Sequence, residues 1–173
     1  MRVIAGEFRS RVLKTVPGLE VRPTPDRLRE ALFNVLAPSI EGAVFLDAYA
    51  GSGSVGIEAI SRGAGRAIFV EKDRAAVGVL RENLTSLGIE GRAEVVVGKA
   101  LLALGKYSAD IVFLDPPYPL GSEYSRALTM LGAEGGALVI AQHASRFALA
   151  DEYGALKRFR VLKQGDNSLS FYR

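Results

Sequence analysis

Val44-Phe45-Leu46-Asp47-Ala48-Tyr49-Ala50-Gly51-Ser52-Gly53-Ser54-Val55-Gly56 is the stretch that decides the fold. A short apolar run ends in a carboxylate, a Gly-x-Gly-x-x-Gly follows at once, and a helical segment opens from it. This is a strand feeding a glycine turn, in which the backbone can approach a nucleotide-like ligand and the N–H groups at the helix start meet its polar end. Glu71 closes the next apolar run, Ala67-Ile68-Phe69-Val70, and stands 20 residues after Gly51. That is the distance expected of a carboxylate accepting hydrogen bonds from ribose hydroxyls.

Three more short apolar runs follow, Val95-Val96-Val97, Ile111-Val112-Phe113-Leu114 and Leu138-Val139-Ile140, which makes five buried strands separated by helical segments. Between the second and third, Asp73 to Leu87 places Val77, Leu80, Leu84 and Leu87 on one helical face, with Gly88 where a C-cap glycine belongs. The alternation predicts an α/β architecture with a mostly parallel, doubly wound sheet and ligands beyond the carboxyl ends of the strands. Upstream, Thr24 is the expected N-cap of a helix with Pro25 at its first position, Leu28, Ala31, Leu32, Val35 and Leu36 on its apolar face, and Pro38 at its end. Residues 2–15 read as two short strands around Gly6 and Ser10. Phe159–Leu162 and Ser168–Tyr172, across Gly165-Asp166-Asn167, read as a closing hairpin. The expected organisation is a basic hairpin extension over 1–22 and one globular domain over 23–173.

The 173 residues, 49% of them apolar and 24% charged, suit one domain with one substantial core. Without cysteine there is neither a disulfide nor a thiolate metal site, and the lone His143 cannot build a zinc site, so no metal is expected. The start of the chain lacks the apolar run of a signal peptide, and stretches such as Ala137 to Ala141 are far too short to cross a bilayer. A soluble, cytoplasmic protein is expected. The net charge of +3 is matched by residues 1–22, where Arg2, Arg9, Arg11, Lys14 and Arg22 outnumber Glu7 and Glu20. Such an arm attracts phosphate backbones; a merely solvated surface hairpin explains the same charges.

On the glycine motif alone, a nicotinamide or flavin oxidoreductase is the default reading. Asp47 argues against it, because a carboxylate four residues before Gly51 repels a pyrophosphate at low local dielectric. S-adenosylmethionine instead carries a sulfonium and an ammonium group, which Asp47, Glu71 and Asp115 would complement. Asp47, Ala50, Gly51, Ser52, Gly53, Glu71 and Asp115 are therefore the candidate cofactor residues, and Lys72 is a further one if its stem lies along the adenine.

The fourth strand ends in Asp115-Pro116-Pro117-Tyr118. The lone pair of an exocyclic amine on a base is delocalised into the ring. Two acceptors aimed at its hydrogens, the Asp115 carboxylate and the Pro116 carbonyl, favour a pyramidal nitrogen and stabilise the charge that develops as it attacks a methyl group. Pro116 and Pro117 restrict the turn and supply no competing N–H. Tyr118 offers a face on which an extruded base can stack, an interaction worth about 1–3 kcal/mol.

Taken together these residues resemble the bacterial small-subunit rRNA guanine-N(2) methyltransferases of the RsmD type. The resemblance runs nearly end to end: Arg2-Val3-Ile4-Ala5-Gly6 with Arg9 and Arg11; Arg22-Pro23-Thr24 with Asp26-Arg27, Arg29-Glu30 and Phe33; Asp47 with Ala50-Gly51-Ser52-Gly53, Gly56 and Glu58-Ala59. It continues through Ser61-Arg62-Gly63-Ala64, Val70-Glu71, Asn83 and Asp115-Pro116-Pro117-Tyr118 to Gly165-Asp166 and Leu169-Ser170-Phe171-Tyr172. It implies a Rossmann-like methyltransferase fold with a seven-stranded sheet whose last strand is antiparallel, and an N-terminal extension that helps hold RNA. It also implies Thr24 or Arg22 near the methionine carboxylate of S-adenosylmethionine, and nucleic-acid contacts from Arg2, Arg9, Arg11, Lys14, Arg22 and Arg27. The implied substrate is a guanine of 16S rRNA, naked or within the small ribosomal subunit, and the implied enzyme is a monomer. Two positions depart from relatives: Lys99 stands where Asp or Asn is frequent near the adenine, and Gln142-His143 replaces a common acidic residue. A DNA adenine amino-methyltransferase shares the Asp-Pro-Pro-Tyr logic and is the nearest alternative, although the chain has no room for the separate recognition domain such enzymes usually carry. An oxidoreductase leaves Asp115 to Tyr118 without a task.

Overall fold

The structure is a computed structural model that describes residues 1–17, 24–117 and 121–173. In chain order the elements are α1 (Asp26–Leu36), β1 (Val44–Asp47), α2 (Ser54–Ser61), β2 (Arg66–Glu71), α3 (Arg74–Leu87), β3 (Ala93–Val97), α4 (Ala100–Leu104) and β4 (Ile111–Leu114). After these come α5 (Gly121–Glu134), β5 (Leu138–Ala144), β6 (Glu152–Tyr153), β7 (Leu156–Gln164) and β8 (Asn167–Tyr172).

One sheet runs β3-β2-β1-β4-β5-β8-β7-β6. β1 to β5 are mutually parallel, and β8 runs antiparallel to both β5 and β7. The chain leaves β1 outward to β2 and β3, then crosses back to β4 on the other side of β1. This reversal opens a crevice at the carboxyl ends of β1 and β4, where open parallel sheets take their ligands.

Alternation along the strands fills two apolar layers. Phe45, Phe69, Phe113, Ile140 and Phe171 face α1, α2 and α3, whereas Leu46, Ile68, Val112, Leu114, Val139 and Tyr172 face α4 and α5. β4 is buried on both faces, as the central position of a covered parallel sheet requires. α3 begins where its chemistry says it should: the Asp73 side chain accepts from Ala76 N–H at 2.8 Å, and Gly88 takes the left-handed conformation at the other end.

Three expectations are corrected. The sheet has eight strands rather than seven, because two residues, Glu152 and Tyr153, add an outermost strand beside β7. Residues 2–15 do not form two strands; a single bridge joins Arg2 and Val12, and the intervening backbone turns back on itself at Gly6 and Ser10, both at positive φ. Thr24 does not cap α1. Pro25 occupies the N-cap position, its carbonyl accepting from Leu28 and Arg29, while the Thr24 hydroxyl donates to Gln142 Oε1 at 3.1 Å.

The N-terminal arm is fastened to the back of the glycine helix α2. Glu58 is fully buried there and accepts from Ile4 N–H at 2.8 Å, Ala5 N–H at 3.0 Å and Arg62 Nε at 2.8 Å. Ser61 receives Phe8 N–H, donates to Ala5 O, and its carbonyl accepts Glu7 N–H. Gly6 is needed at this contact: a Cβ would lie 1.8 Å from Ser61 O. Val3 and Leu13 anchor the arm in the α1–α3 layer.

Candidate active site

The glycine loop hangs between β1 and β2. Ala50 N–H donates to Val70 O at 2.9 Å, Gly53 N–H to Ala50 O at 2.8 Å, and Ile57 N–H to Gly53 O at 2.9 Å, so the turn passes directly into α2. Gly53 sits at φ +89° with no room for a side chain, since a Cβ would come within 2.3 Å of Leu80. Gly56 lets α2 lie on the sheet; a Cβ would meet the Phe69 ring at 2.3 Å. By contrast, a Cβ at Gly51 would meet nothing within 4 Å, so this side of the loop is open.

Two carboxylates frame the loop. Glu71 ends β2 and accepts Gly51 N–H and Asp73 N–H, both at 2.8 Å, one on each oxygen. Asp47 ends β1 and is buried; its Oδ2 accepts Gly56 N–H at 3.1 Å, and its Oδ1 is buried without a partner. Burial is the main reason its pKa is pushed up to about 7, with nearby Glu71 adding to the shift and the Gly56 and Tyr49 amides opposing it. Asp115, partly buried just past β4, is also pushed up to about 7, again by desolvation first and then by the charge of Asp47. Asp115 therefore lies close enough to Asp47 to feel its charge. Pro116 is buried and Pro117 exposed.

Of the candidate cofactor residues, the fold brings Asp47, Ala50, Gly51, Ser52, Gly53 and Glu71 together at the carboxyl ends of β1 and β2, with Asp115 just past the adjoining strand β4. Thr24 joins from the other side, bonded to Gln142 at the carboxyl end of β5, one strand from Asp115. Lys72 is exposed beside Glu71, and Lys99 precedes α4 with no side-chain cap bond. Tyr118 and Arg22 lie outside the described residues.

Arg2, Arg9, Arg11, Lys14 and Arg27 are all exposed. Several are already engaged within the chain: Arg2 donates to Ser10 O at 3.2 Å, Arg11 to Ser86 O at 2.8 Å, and Lys14 pairs with Glu82 at 2.8 Å. Arg9 and Arg27 form no ion pair among the described residues.

Asn83 is a connection that the sequence alone does not reveal. Its buried carboxamide donates to Ser52 O at 2.9 Å and to Lys14 O at 3.0 Å, and accepts Lys14 N–H at 2.8 Å, so it ties the arm to the glycine loop. A polar residue on the buried face of α3 is the one signal that could have found it. Tyr49, inside the loop, similarly donates to Glu123 in the first turn of α5 at 2.8 Å. His143 is occupied structurally, with Nδ1 2.9 Å from Ala144 O and Nε2 2.9 Å from Ser170 Oγ; burial lowers its pKa.

A buried carboxylate oxygen without a donor, beside an open glycine turn and a second carboxylate at the end of β2, suits a ligand that combines a ribose with a cationic group. It does not suit a pyrophosphate. Fold and site together define a Rossmann-like methyltransferase. The chain belongs to the Cons_hypoth95 family, conserved hypothetical protein 95, which matches residues 1–173. It is 35% identical to the Bacillus subtilis protein YlbH over 100% of this chain and 98% of that protein. It is 45% identical to ribosomal RNA small subunit methyltransferase D of Escherichia coli K12 over 70% of this chain and 62% of that protein. Among solved structures, the Escherichia coli protein yhhF superposes with a TM-score of 0.86 at 36% identity, covering 99% of this chain and 96% of that one. An RNA methyltransferase from Salinibacter ruber, solved with S-adenosyl-L-homocysteine, shares the fold at a TM-score of 0.68 and 20% identity, over 86% of this chain and 91% of that one. Among the described residues, no helix is long and apolar enough to cross a membrane, and no cluster of His, Asp and Glu could hold a metal ion.

Proposed function

We propose that this chain transfers a methyl group to the exocyclic N2 of a guanine in 16S rRNA. The observation that carries the reading is the placement of Asp115, directly past β4 and close enough to Asp47 to feel its charge, on the strand that adjoins the glycine loop. The relatives named as small-subunit rRNA methyltransferases support the choice of RNA.

S-adenosylmethionine supplies an electrophilic methyl group. Asp47 and Glu71 would hold it, Asp47 through the oxygen that lacks a donor and Glu71 through lone pairs left beside its two backbone bonds. Ala50, Gly51, Ser52 and Gly53 would line its path, with Thr24 near its carboxylate and Lys72 beside its adenine.

Asp115 and the Pro116 carbonyl accept hydrogen bonds from the amine, which directs the nitrogen lone pair away from the ring and stabilises positive charge as it builds. Asp115 must be ionised to do this, so its raised pKa means that acceptor strength grows as pH rises through about 7. The proton released after transfer passes to solvent or to Asp115. Pro117 stiffens the turn and Tyr118 stacks on the base. Arg2, Arg9, Arg11, Lys14, Arg22 and Arg27 hold phosphates, and the protein acts as a monomer in the cytoplasm.

The test is nucleoside mass spectrometry after incubating the purified protein and labelled cofactor with naked 16S rRNA and with small subunits from cells lacking this protein. N2-methylguanosine is expected. A label found only on adenine, or only in DNA, would overturn the proposal.

A further inference from the structure

The total charge of +3 conceals a strongly divided molecule. Residues 156–173 hold Lys157, Arg158, Arg160, Lys163 and Arg173 against Asp166 alone, whereas residues 23–155 hold 12 basic and 16 acidic side chains. The chain after the arm is neutral in sum because a C-terminal excess of four cancels a central deficit of four.

Four of these five cations lie on β7, and Arg173 follows β8. Beyond Lys157, the outer edge of this strand pairs with no other strand among the described residues, and Phe159 and Val161 are 49% and 48% exposed. Three of the cations are engaged locally: Arg158 with Asp151, Lys157 with Glu152 at 3.9 Å, and the Arg173 guanidinium 4.9 Å above the Phe159 ring. Arg160 and Lys163 are exposed and form no ion pair among the described residues. The register places Arg160 opposite Phe171 on the α1 side of the sheet and Lys163 opposite Ser168 on the other side, so charge projects from both faces of the strand.

Lysine and arginine on an unpaired edge also discourage strand-to-strand aggregation. That purpose explains the cations but not the half-exposed Phe159 and Val161, which would promote the very association the charges oppose. Cations interleaved with an exposed aromatic face fit a polyanion with stackable bases. Position agrees at one end of the strand: β7 is three strands, about 14 Å, from β4, and Lys163, level with Ser168 and His143, lies at the carboxyl end of the sheet where Asp115 follows β4. Arg160 and the Arg173–Phe159 pair continue the surface towards the other end. The arm docks on α2 and α3, on the opposite side of that strand. A substrate reaching Asp115 thus has a basic surface to either side.

We propose that β7, through Arg160, Lys163 and the Arg173–Phe159 pair, is a second docking surface for the phosphate backbone of the RNA substrate. The inference rests on the reading of the chain as an RNA methyltransferase, and it adds where the RNA lies.

The experiment compares the wild type with an Arg160→Gln/Lys163→Gln variant, binding a 16S rRNA fragment across a range of salt concentrations. The slope of log affinity against log salt should fall by about 1.4 to 1.8 units, one increment for each lost phosphate contact. KM for RNA should rise, while kcat, S-adenosylhomocysteine affinity and melting temperature stay unchanged. An Arg160→Lys/Lys163→Arg variant, which keeps both charges, should restore the slope. An unchanged slope in the Gln variant overturns the proposal. So does a change confined to sedimentation, which would make the edge a contact between two copies. If the wild type methylates rRNA and the Gln variant behaves identically, only the docking surface fails. If the wild type methylates no RNA yet the variant flattens the slope, the surface stands and the assigned reaction fails.

Discussion

Two carboxylates buried against the same helix behave in opposite ways. Glu58, near the end of α2, is surrounded by donors from its own chain: two arm amides and the Arg62 guanidinium. Asp47, facing the start of α2, has one full bond from the Gly56 amide, the Tyr49 amide nearby, and an Oδ1 that completes no hydrogen bond. Burying a charge is costly unless it is paired. Glu58 meets that requirement within the fold, so it serves the structure by locking the arm in place. Asp47 leaves it unmet, which raises its pKa and makes its free oxygen the place where we propose that a cationic group of the cofactor docks.

The difference can be broken at either end. Replacing Glu58 with Ala should have the largest effect on stability, about 3–5 kcal/mol, because Arg62 and two buried amides lose their acceptor; chemical denaturation measures it. The fully buried Arg29, whose pKa burial already lowers and whose Nε and Nη1 lack partners, would be left still more exposed to that penalty. Asp115→Ala should leave the fold intact and still bind cofactor, with affinity lowered by the loss of one carboxylate, while methyl transfer falls about 10²–10³-fold. Single-turnover assays at saturating cofactor check this, and unchanged turnover would exclude the role given to Asp115.

Asp47→Asn should weaken S-adenosylhomocysteine binding about tenfold, a loss of roughly 1.4 kcal/mol, yet leave the ligand-free protein as stable or more so at pH 8. The sign follows from linkage. An acid whose pKa is raised in the folded state binds its proton more readily there than when unfolded, so its contribution is most favourable at low pH and declines as pH climbs from about 4 to about 7. Ligand-free wild type should lose stability over that window, and the Asn variant should lose less. The smallest effect belongs to Asp73→Ala, about 1 kcal/mol from the lost N-cap of α3, read by thermal melting.

What the sequence disclosed and what it withheld divide along the same line as local and distant interactions. The five core strands, both ends of α3 and the hairpin of β7 and β8 follow from periodicity and turn residues within a few positions of each other. The glycine loop and the turn after β4 were legible for the same reason. Thr24 looked like a cap because its true partner, Gln142, is 118 residues away. Residues 2–15 looked like strands because their alternating apolar residues do pack, though against α1–α3 rather than through a ladder. β6 is two residues long and has no pattern to read. The charge of Asp47 beside the glycines suggests a ligand carboxylate, but its unpaired oxygen, and the contrast with Glu58, exist only once the chain is folded.

The central claim is that Asp47 awaits a cation carried by the cofactor. Calorimetry of S-adenosylhomocysteine binding near pH 6.5, repeated in buffers of different ionisation enthalpy, tests it most directly. Release of a proton on binding by the wild type, absent in Asp47→Asn, is the predicted result. Binding without proton release, or affinity for NADH with none for S-adenosylhomocysteine, would contradict the account.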